Sequence, residues 1–457
     1  MIIPMNQYIR SLTLTLSIFI PLTFINVSES SELSEAKITL NDLYLFDEIS
    51  SIDVSHSAKQ IAYSVSSVDE KKDRYRNDIW LLDVNKNKKK VLIKGRPWVG
   101  KTKFSPNDTL VGYLAPGRGQ YSEYQQIWTI NTNYRTKRQL TKLKANINDF
   151  EWSPDGTQMI LVADSISVDK KTKSSVQTQK PIVIDRYYFK EDGKEFLGDE
   201  RQHLHLLDIK SRTTRQLTKG TSNEILPSWS PDSKKIAYVT KTGEMDRTNN
   251  YDVYVLEIDS TNNPIQLTTN LGADSSSSRP QWSPDGKKIA YLHGGDPALL
   301  WYALQELAVI DLDTKINSIL TKELDRNVSS PQWSDDGQSI YFVIEDNMKS
   351  QLAKYSLTNQ KIKKITPSNY YISGWAKNYV VRNGKIGLIL SNTNSPDEVY
   401  FYDENSLSQQ SHHNSELLSS RKILKTETIS FKAADGEELF GMMIKPDNFD
   451  PSKQYPL

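Results

Sequence analysis

Hydrophobic positions along this chain fall into short runs separated by polar turns, and one punctuating motif recurs. It stands at Trp152-Ser-Pro-Asp-Gly156, Trp229-Ser-Pro-Asp-Ser233, Trp282-Ser-Pro-Asp-Gly286 and Trp333-Ser-Asp-Asp-Gly337, with weaker copies at Phe104-Ser-Pro-Asn-Asp108 and Val54-Ser-His-Ser-Ala58. Each copy leads into an apolar run such as Ile236 to Val239, Ile289 to Leu292 or Ile340 to Val343. That order predicts strand, tight turn, strand: Pro presets the turn, Asp bonds back to nearby amides, and Gly accepts positive φ. The aromatic before the turn is expected to anchor the core. A second hairpin follows each copy, and its return strand often ends in Leu-Thr. Its leading strands include Ile79 to Asp83, Ile127 to Ile130, His203 to Asp208, Val253 to Leu256, Leu307 to Asp311, Leu352 to Tyr355 and Val399 to Tyr402. A lone four-stranded unit cannot bury both faces until neighbours stack on it, so a four-stranded unit repeating near every fifty residues reads as a propeller blade. The fold class expected is all-β, a seven-bladed β-propeller of four-stranded blades over residues 43–425, preceded by a lead segment at 31–42.

Two places break the rhythm. The seventh blade keeps its strands between Trp375 and Leu390 but lacks the Pro-Asp turn. The interval from Trp152 to Trp229 is 77 residues, where the others are 48 to 53. An insertion is therefore expected at about 164–200. Residues 169–179 read as polar loop, and Ile182-Val-Ile-Asp-Arg-Tyr-Tyr-Phe189 is apolar enough to pack, either on one end of the propeller, toward a neighbouring domain, or as an extra hairpin with no binding role.

Charge and composition narrow the partners. The 457 residues carry 57 Lys+Arg against 56 Asp+Glu, so no global field gathers polyanions and nucleic acid is not an expected partner. The chain has no cysteine, which excludes disulfides, thiolate metal sites and a cysteine nucleophile. Arg10 followed by an uncharged stretch from Ser11 to Ile25 has the layout of a secretory signal peptide spanning 1–30. That stretch is shorter than the ~20 apolar residues a spanning helix needs. An exported, periplasmic or extracellular protein with no membrane span after cleavage is expected.

Several motifs carry chemistry in other contexts. Gly95-Arg-Pro-Trp-Val-Gly-Lys101-Thr102 matches a phosphate-binding loop formally, but Phe104 and Pro106 lead straight into the next strand and turn where a helix is required. His293-Gly-Gly295 has the spelling of an oxyanion loop, yet it continues a blade strand and reads as a turn. His203 and His205 share one strand face by period two, with no third ligand placed, so an ordinary strand face is the simpler reading and no metal or cofactor is expected. His412 and His413 fall in a polar linker. No Gly-x-Ser-x-Gly nucleophile turn occurs in the chain.

The pattern changes at Lys425. Glu427 to Phe431 and Leu439 to Pro446, joined at Asp435-Gly436, predict two strands of a new sheet, followed by Phe449-Asp-Pro451 and Tyr455-Pro-Leu457. Two strands do not make a stable sheet alone. The Trp-Ser-Pro-Asp-Gly propeller together with this tail resembles the acylaminoacyl-peptidase and dipeptidyl-peptidase-like branch of the prolyl oligopeptidase (S9) family. Gly294 to Pro297 and Asp185 to Tyr188 are similar to stretches of bacterial members. The resemblance implies that 426–457 begins an incomplete α/β-hydrolase domain whose catalytic Ser, Asp and His lie beyond Leu457, so no catalytic residue is assigned. It also implies peptide substrates, with the propeller limiting access. Glu123 and Glu306 are read as acids in loops, not as an amino-terminus clamp. The propeller repeats alone are equally similar to WD40-like and TolB-like binding propellers, so an envelope scaffold is the alternative.

Overall fold

A computed structural model describes residues 36–456, apart from 166–183, 185, 193–194, 245, 261–262, 374–377 and 404–405. The expected signal segment, the polar loop at 169–179 and part of the seventh-blade stretch lie outside the described residues. Seven antiparallel sheets follow one another, each built from strands taken in chain order, with the insertion hairpin falling between the second and third strands of blade 3. Their first strands are Glu48–Val54, Gly100–Phe104, Ile147–Trp152, Glu224–Trp229, Gln281–Trp282 and Val328–Trp333 in blades 1 to 6. In blade 7 the first strand is split into Tyr371–Ile372 and Tyr379–Arg382, both paired with Lys385–Asn392. The last strand of blade 7 is Ser406–Gln409. The chain is thus a seven-bladed β-propeller.

The recurring turn is a closed hydrogen-bond circuit. In blade 3 the Ser153 hydroxyl donates to Asp155 Oδ1 at 2.6 Å, while the Gln158 amide donates to Ser153 Oγ at 2.9 Å and the Thr157 amide to Asp155 Oδ1 at 2.9 Å. The same Ser-to-Asp bond recurs at 2.6 Å in Ser230/Asp232, Ser283/Asp285 and Ser334/Asp336. The fifth motif position is left-handed in every copy, whether it holds Gly156, Gly286 and Gly337 or Ala58, Asp108 and Ser233. Blade 7 turns instead on Asn383-Gly384, both at positive φ, between the paired Arg382 and Lys385. This two-residue Asn-Gly connection suits the twist of a hairpin and explains how the blade survives without Pro-Asp.

The Leu-Thr ending also has a cause. The buried hydroxyls of Thr141, Thr218, Thr268, Thr321, Thr366 and Ser411 accept the third-strand amides of Ile127, Leu204, Val253, Leu307, Leu352 and Val399 at 2.7 to 3.0 Å. Each fixes a strand end where the regular ladder stops.

Among the described residues none of the seven sheets shares a strand with another, and the blades join through side chains. The motif tryptophans stitch blades 2 to 6: the indole N–H of Trp152, Trp229, Trp282 and Trp333 donates to the carbonyls of Lys103, Glu151, Ser228 and Gln281 in the preceding blade at 2.9 to 3.3 Å. Where the tryptophan is missing, other groups take the role. Asp53 accepts the Phe104 amide at 2.7 Å between blades 1 and 2, and Gln332 holds the backbone of Tyr379 and Val381 between blades 6 and 7. The ring closes between blades 7 and 1 on an apolar cluster that includes Ile52, Val54, Ile61, Val380, Ile389 and Phe401. Gly387 permits that approach, because a Cβ there would lie 2.5 Å from Val54 Cγ2. His413, read from sequence as a linker residue, is instead packed edge-on against Trp80 and Tyr63 at this seam, with Nε2 3.1 Å from the Tyr63 hydroxyl. Nothing local in the sequence marks that role, since its partners lie some 350 positions away.

Alternating strand direction puts the Pro-Asp turns on one end of the ring. The loops between second and third strands, the chain's way into blade 1 and its way out of blade 7 all fall on the other. The insertion is such a loop in blade 3. Its described part forms a small hairpin, Lys190–Glu191 with Glu195–Phe196, and the Arg186 guanidinium grips Asp246 of blade 4 with Nε–Oδ2 at 2.9 Å. The tail forms the expected hairpin, Thr426–Lys432 paired with Glu438–Ile444 around Asp435-Gly436. Parallel pairing of Ala36–Lys37 with Arg421–Lys422 and a bidentate Arg421–Asp42 ion pair tie the lead segment to the chain entering that hairpin.

Three substitutions test these devices in denaturant unfolding. Ala58→Gly relieves left-handed backbone strain and is expected to raise stability by about 0.5–1 kcal/mol. Gly387→Ala forces blades 1 and 7 apart at a packed seam and is expected to cost about 1–3 kcal/mol. Thr321→Val strands the buried Leu307 amide, again at a cost of about 1–3 kcal/mol.

Candidate functional site

The first strands of all seven blades line an axial cavity of about 1160 Å³. Five of these strands are bulged near the same place, between Ile49 and Ser51, Gly100 and Thr102, Ile147 and Asp149, Ile225 and Ser228, and Ser329 and Gln332. Lys101, Leu226 and Ser330 sit within these bulges at positive φ, although none is glycine. A bulge bends its strand and re-aims a side chain, and here the side chains of the bulged stretch line the axis.

The cavity wall carries a continuous set of charges. Lys101 of blade 2 pairs with Asp149 and, at 3.1 Å, with Glu151 of blade 3. Arg279, just ahead of the first strand of blade 5, reaches Asp149 at 2.6 Å and Glu151 at 3.4 Å. Lys103 lies 3.5 Å from Glu151 and 4.0 Å from the buried Asp53 of blade 1. Burial alone would raise the Asp149 and Glu151 carboxyls, but Arg279 and Lys101 hold Asp149, and Lys101, Lys103 and Arg279 hold Glu151, below the ordinary carboxylate range. Burial dominates at Lys101 and lowers its ammonium despite both carboxylates.

The sequence motifs fall out as follows. The phosphate-loop match is the link from the last strand of blade 1, Lys88–Arg96, into blade 2, with no helix after it. Its Lys101 nevertheless belongs to the axial charge set, which the sequence did not signal because its partners Asp149 and Glu151 come from blade 3. The amides of Gly294 and Gly295 are used internally, donating to Asp274 Oδ1 at 2.8 Å and the Leu304 carbonyl at 3.0 Å, so they do not face an oxyanion. His203 is buried against Glu224, with Nδ1–Oε2 at 2.7 Å, and Thr218 donates to the same carboxylate. No cluster of three or more metal-ligating His, Cys, Asp or Glu side chains occurs among the described residues. Glu306 lies within the strand Gln305–Asp311 opposite His293, which corrects its reading as a loop acid. Glu123 follows the short 3-10 turn Gly119–Tyr121 on the loop-bearing end, separate from Glu306.

Exposed large apolar side chains are concentrated on the loop-bearing end. They include Leu40 and Tyr44 before blade 1, Tyr187 and Tyr188 in the insertion, and Leu299 and Tyr302 in blade 5. The opposite end exposes Tyr134 and Ile316 in its turns. The tail hairpin adds exposed Phe431, Met442 and Ile444. Single exposed apolar residues are ordinary; these are gathered on one end of the ring.

Burial, reinforced by neighbouring His203, pushes the His205 imidazole down to about 4 from 6.5. The folded state therefore prefers neutral His205, while the unfolded chain takes up a proton near pH 6.5. The stability this group contributes is present above that pH and is lost as pH falls toward 4. His205→Gln is expected to flatten the decline of urea midpoints between pH 7 and pH 4, and an unchanged slope would contradict the burial argument.

No family model matches the chain. Among curated proteins, it is 24% identical over 224 residues to the uncharacterized peptidase YuxL of Bacillus subtilis, an alignment covering 48% of this chain and 34% of that protein. It is 24% identical over 482 residues to dipeptidyl-peptidase 5 of Porphyromonas endodontalis, covering 99% of this chain and 67% of that one. Among solved structures, the acylaminoacyl peptidase of Pyrococcus horikoshii superposes with a TM-score of 0.70 at 16% identity, over 89% of this chain and 59% of that one. The β-propeller domain of the trilobed protease from Pyrococcus furiosus, described as having an open velcro topology, superposes with a TM-score of 0.56 at 15% identity, over 81% of this chain and 97% of that domain. The matched part thus spans about a third of YuxL and about two thirds or less of the other two peptidases. The recurring turn and the seven stacked sheets make the chain a seven-bladed propeller that is similar in sequence to a dipeptidyl-peptidase 5 and in fold to an acylaminoacyl peptidase.

Proposed function

We propose that this chain is the propeller portion of an exported serine peptidase that hydrolyses short peptides, of acylaminoacyl, dipeptidyl or oligopeptidase type. The observation that carries the reading is the one-sided apolar surface on the loop-bearing end, reached by both the lead segment and the tail hairpin. An α/β-hydrolase domain continuing from that hairpin would complete its sheet and cover Phe431, Met442 and Ile444. The propeller would then limit entry to small chains, while acyl transfer proceeds on a serine, histidine and aspartate supplied by that domain. Export rests on the Ser11 to Ile25 stretch. Among the described residues no helix is long and apolar enough to cross a membrane.

The test is activity-based capture from producing cells with a fluorophosphonate probe and an antibody raised against the propeller. A probe-labelled serine hydrolase carrying the propeller epitope in the exported fraction is expected; recovery of the epitope only in unlabelled protein would overturn the reading. The 457-residue chain itself is expected to leave chromogenic dipeptide and acyl-amino-acid substrates unhydrolysed. Fluorophosphonate-sensitive turnover by it would contradict the division of labour.

A further inference from the structure

An axial cavity can serve as a route or be closed. In a ring of seven blades, blades 3 and 5 are not neighbours, so the Arg279–Asp149 pair is a chord across the lumen and not a bond along its wall. Blade 4 lies between them and offers Leu226 at the matching place, which has no polar group to intercept either partner. From Asp149 the pairs continue through Lys101 of blade 2 to Glu151, then through Lys103 to Asp53 of blade 1. The arrangement therefore ties four of the seven blades, with Asp149 held between Lys101 and Arg279 and Glu151 among Lys101, Lys103 and Arg279. All of these side chains are largely withdrawn from solvent, the most exposed being Lys103 at 25%.

We propose that this ion-pair chord bars the axial tunnel against peptides, so that a chain seeking the loop-bearing end arrives from its rim and not along the axis. The second clause rests on the peptidase reading; the bar itself does not. Breaking the chord need not break the fold: Arg279→Ala leaves Asp149 paired with Lys101, so no carboxylate is stranded.

Because the chain has no cysteine, a single thiol reports on the lumen without background. Ser51→Cys places it on the bulged first strand of blade 1, on the cavity wall. Its reaction is timed with iodoacetamide and with a maleimide joined to a short polyglycine peptide. With Arg279 present, the small reagent is expected to react and the peptide reagent to lag. Arg279→Ala is expected to speed the peptide reagent by at least about tenfold, as loss of a local closure does, while the iodoacetamide rate changes little. Arg279→Lys, which keeps a cation on Asp149, is expected to restore the slow rate. Equal peptide-reagent rates with and without Arg279, or failure of Arg279→Lys to restore the slow rate, would overturn the bar. Labelling reads no peptidase activity, so this failure and failure of the functional reading are distinguishable.

Discussion

Everything in this molecule depends on blades stacking face to face. Each sheet pairs only with itself, and a four-stranded sheet with two apolar faces is unstable until both are covered. The ring supplies a neighbour for every face, so seven marginal units become one cooperative body. The price is that, among the described residues, no ladder joins the sheet of blade 7 to that of blade 1. Closure falls on side chains: the indole bonds in the middle of the ring, Asp53 and Gln332 where the tryptophan is lacking, and the Gly387–Val54 contact with the packed His413 at the seam.

That constraint also organises the axis. First strands crowd toward the centre, and bulges in five of them turn selected side chains into the lumen. A lumen lined by charges is costly unless the charges meet, and burial would push both blade 3 carboxylates toward the neutral form. Lys101, Lys103 and Arg279 reverse that tendency by surrounding them. The same geometry leaves the ends of the ring unequal: one carries tight, self-satisfied Ser-x-Asp-Gly turns, and the other carries loops, an anchored insertion and uncovered aromatic side chains.

Much of this was legible in the residues, and what was not has a common reason. Pro, Asp, Gly and the motif tryptophan act within a few positions of one another, so their order alone specified turn and strand, and the seven second hairpins supplied the blade number. The Asn383-Gly384 turn is equally local and could have been found from its spelling. The serine of the motif and the threonine of Leu-Thr were visible as repeats, but their partners, the Asp155-type carboxylates and the third-strand amides, became clear only with the strands in place. Lys101 shows the limit from the other side: a local motif suggested phosphate, whereas blades 3 and 5 made it part of an ion-pair set.

The blade, its repetition and the hairpin that follows can be read from the residues, because they rest on hydrogen bonding and backbone preference over short separations. How the ring closes, which charges face one another across the axis and which end is apolar emerge only once the blades are stacked. Those depend on residues brought together from 48 to 350 positions apart by the curvature of the stacked sheets, and no local pattern encodes that distance.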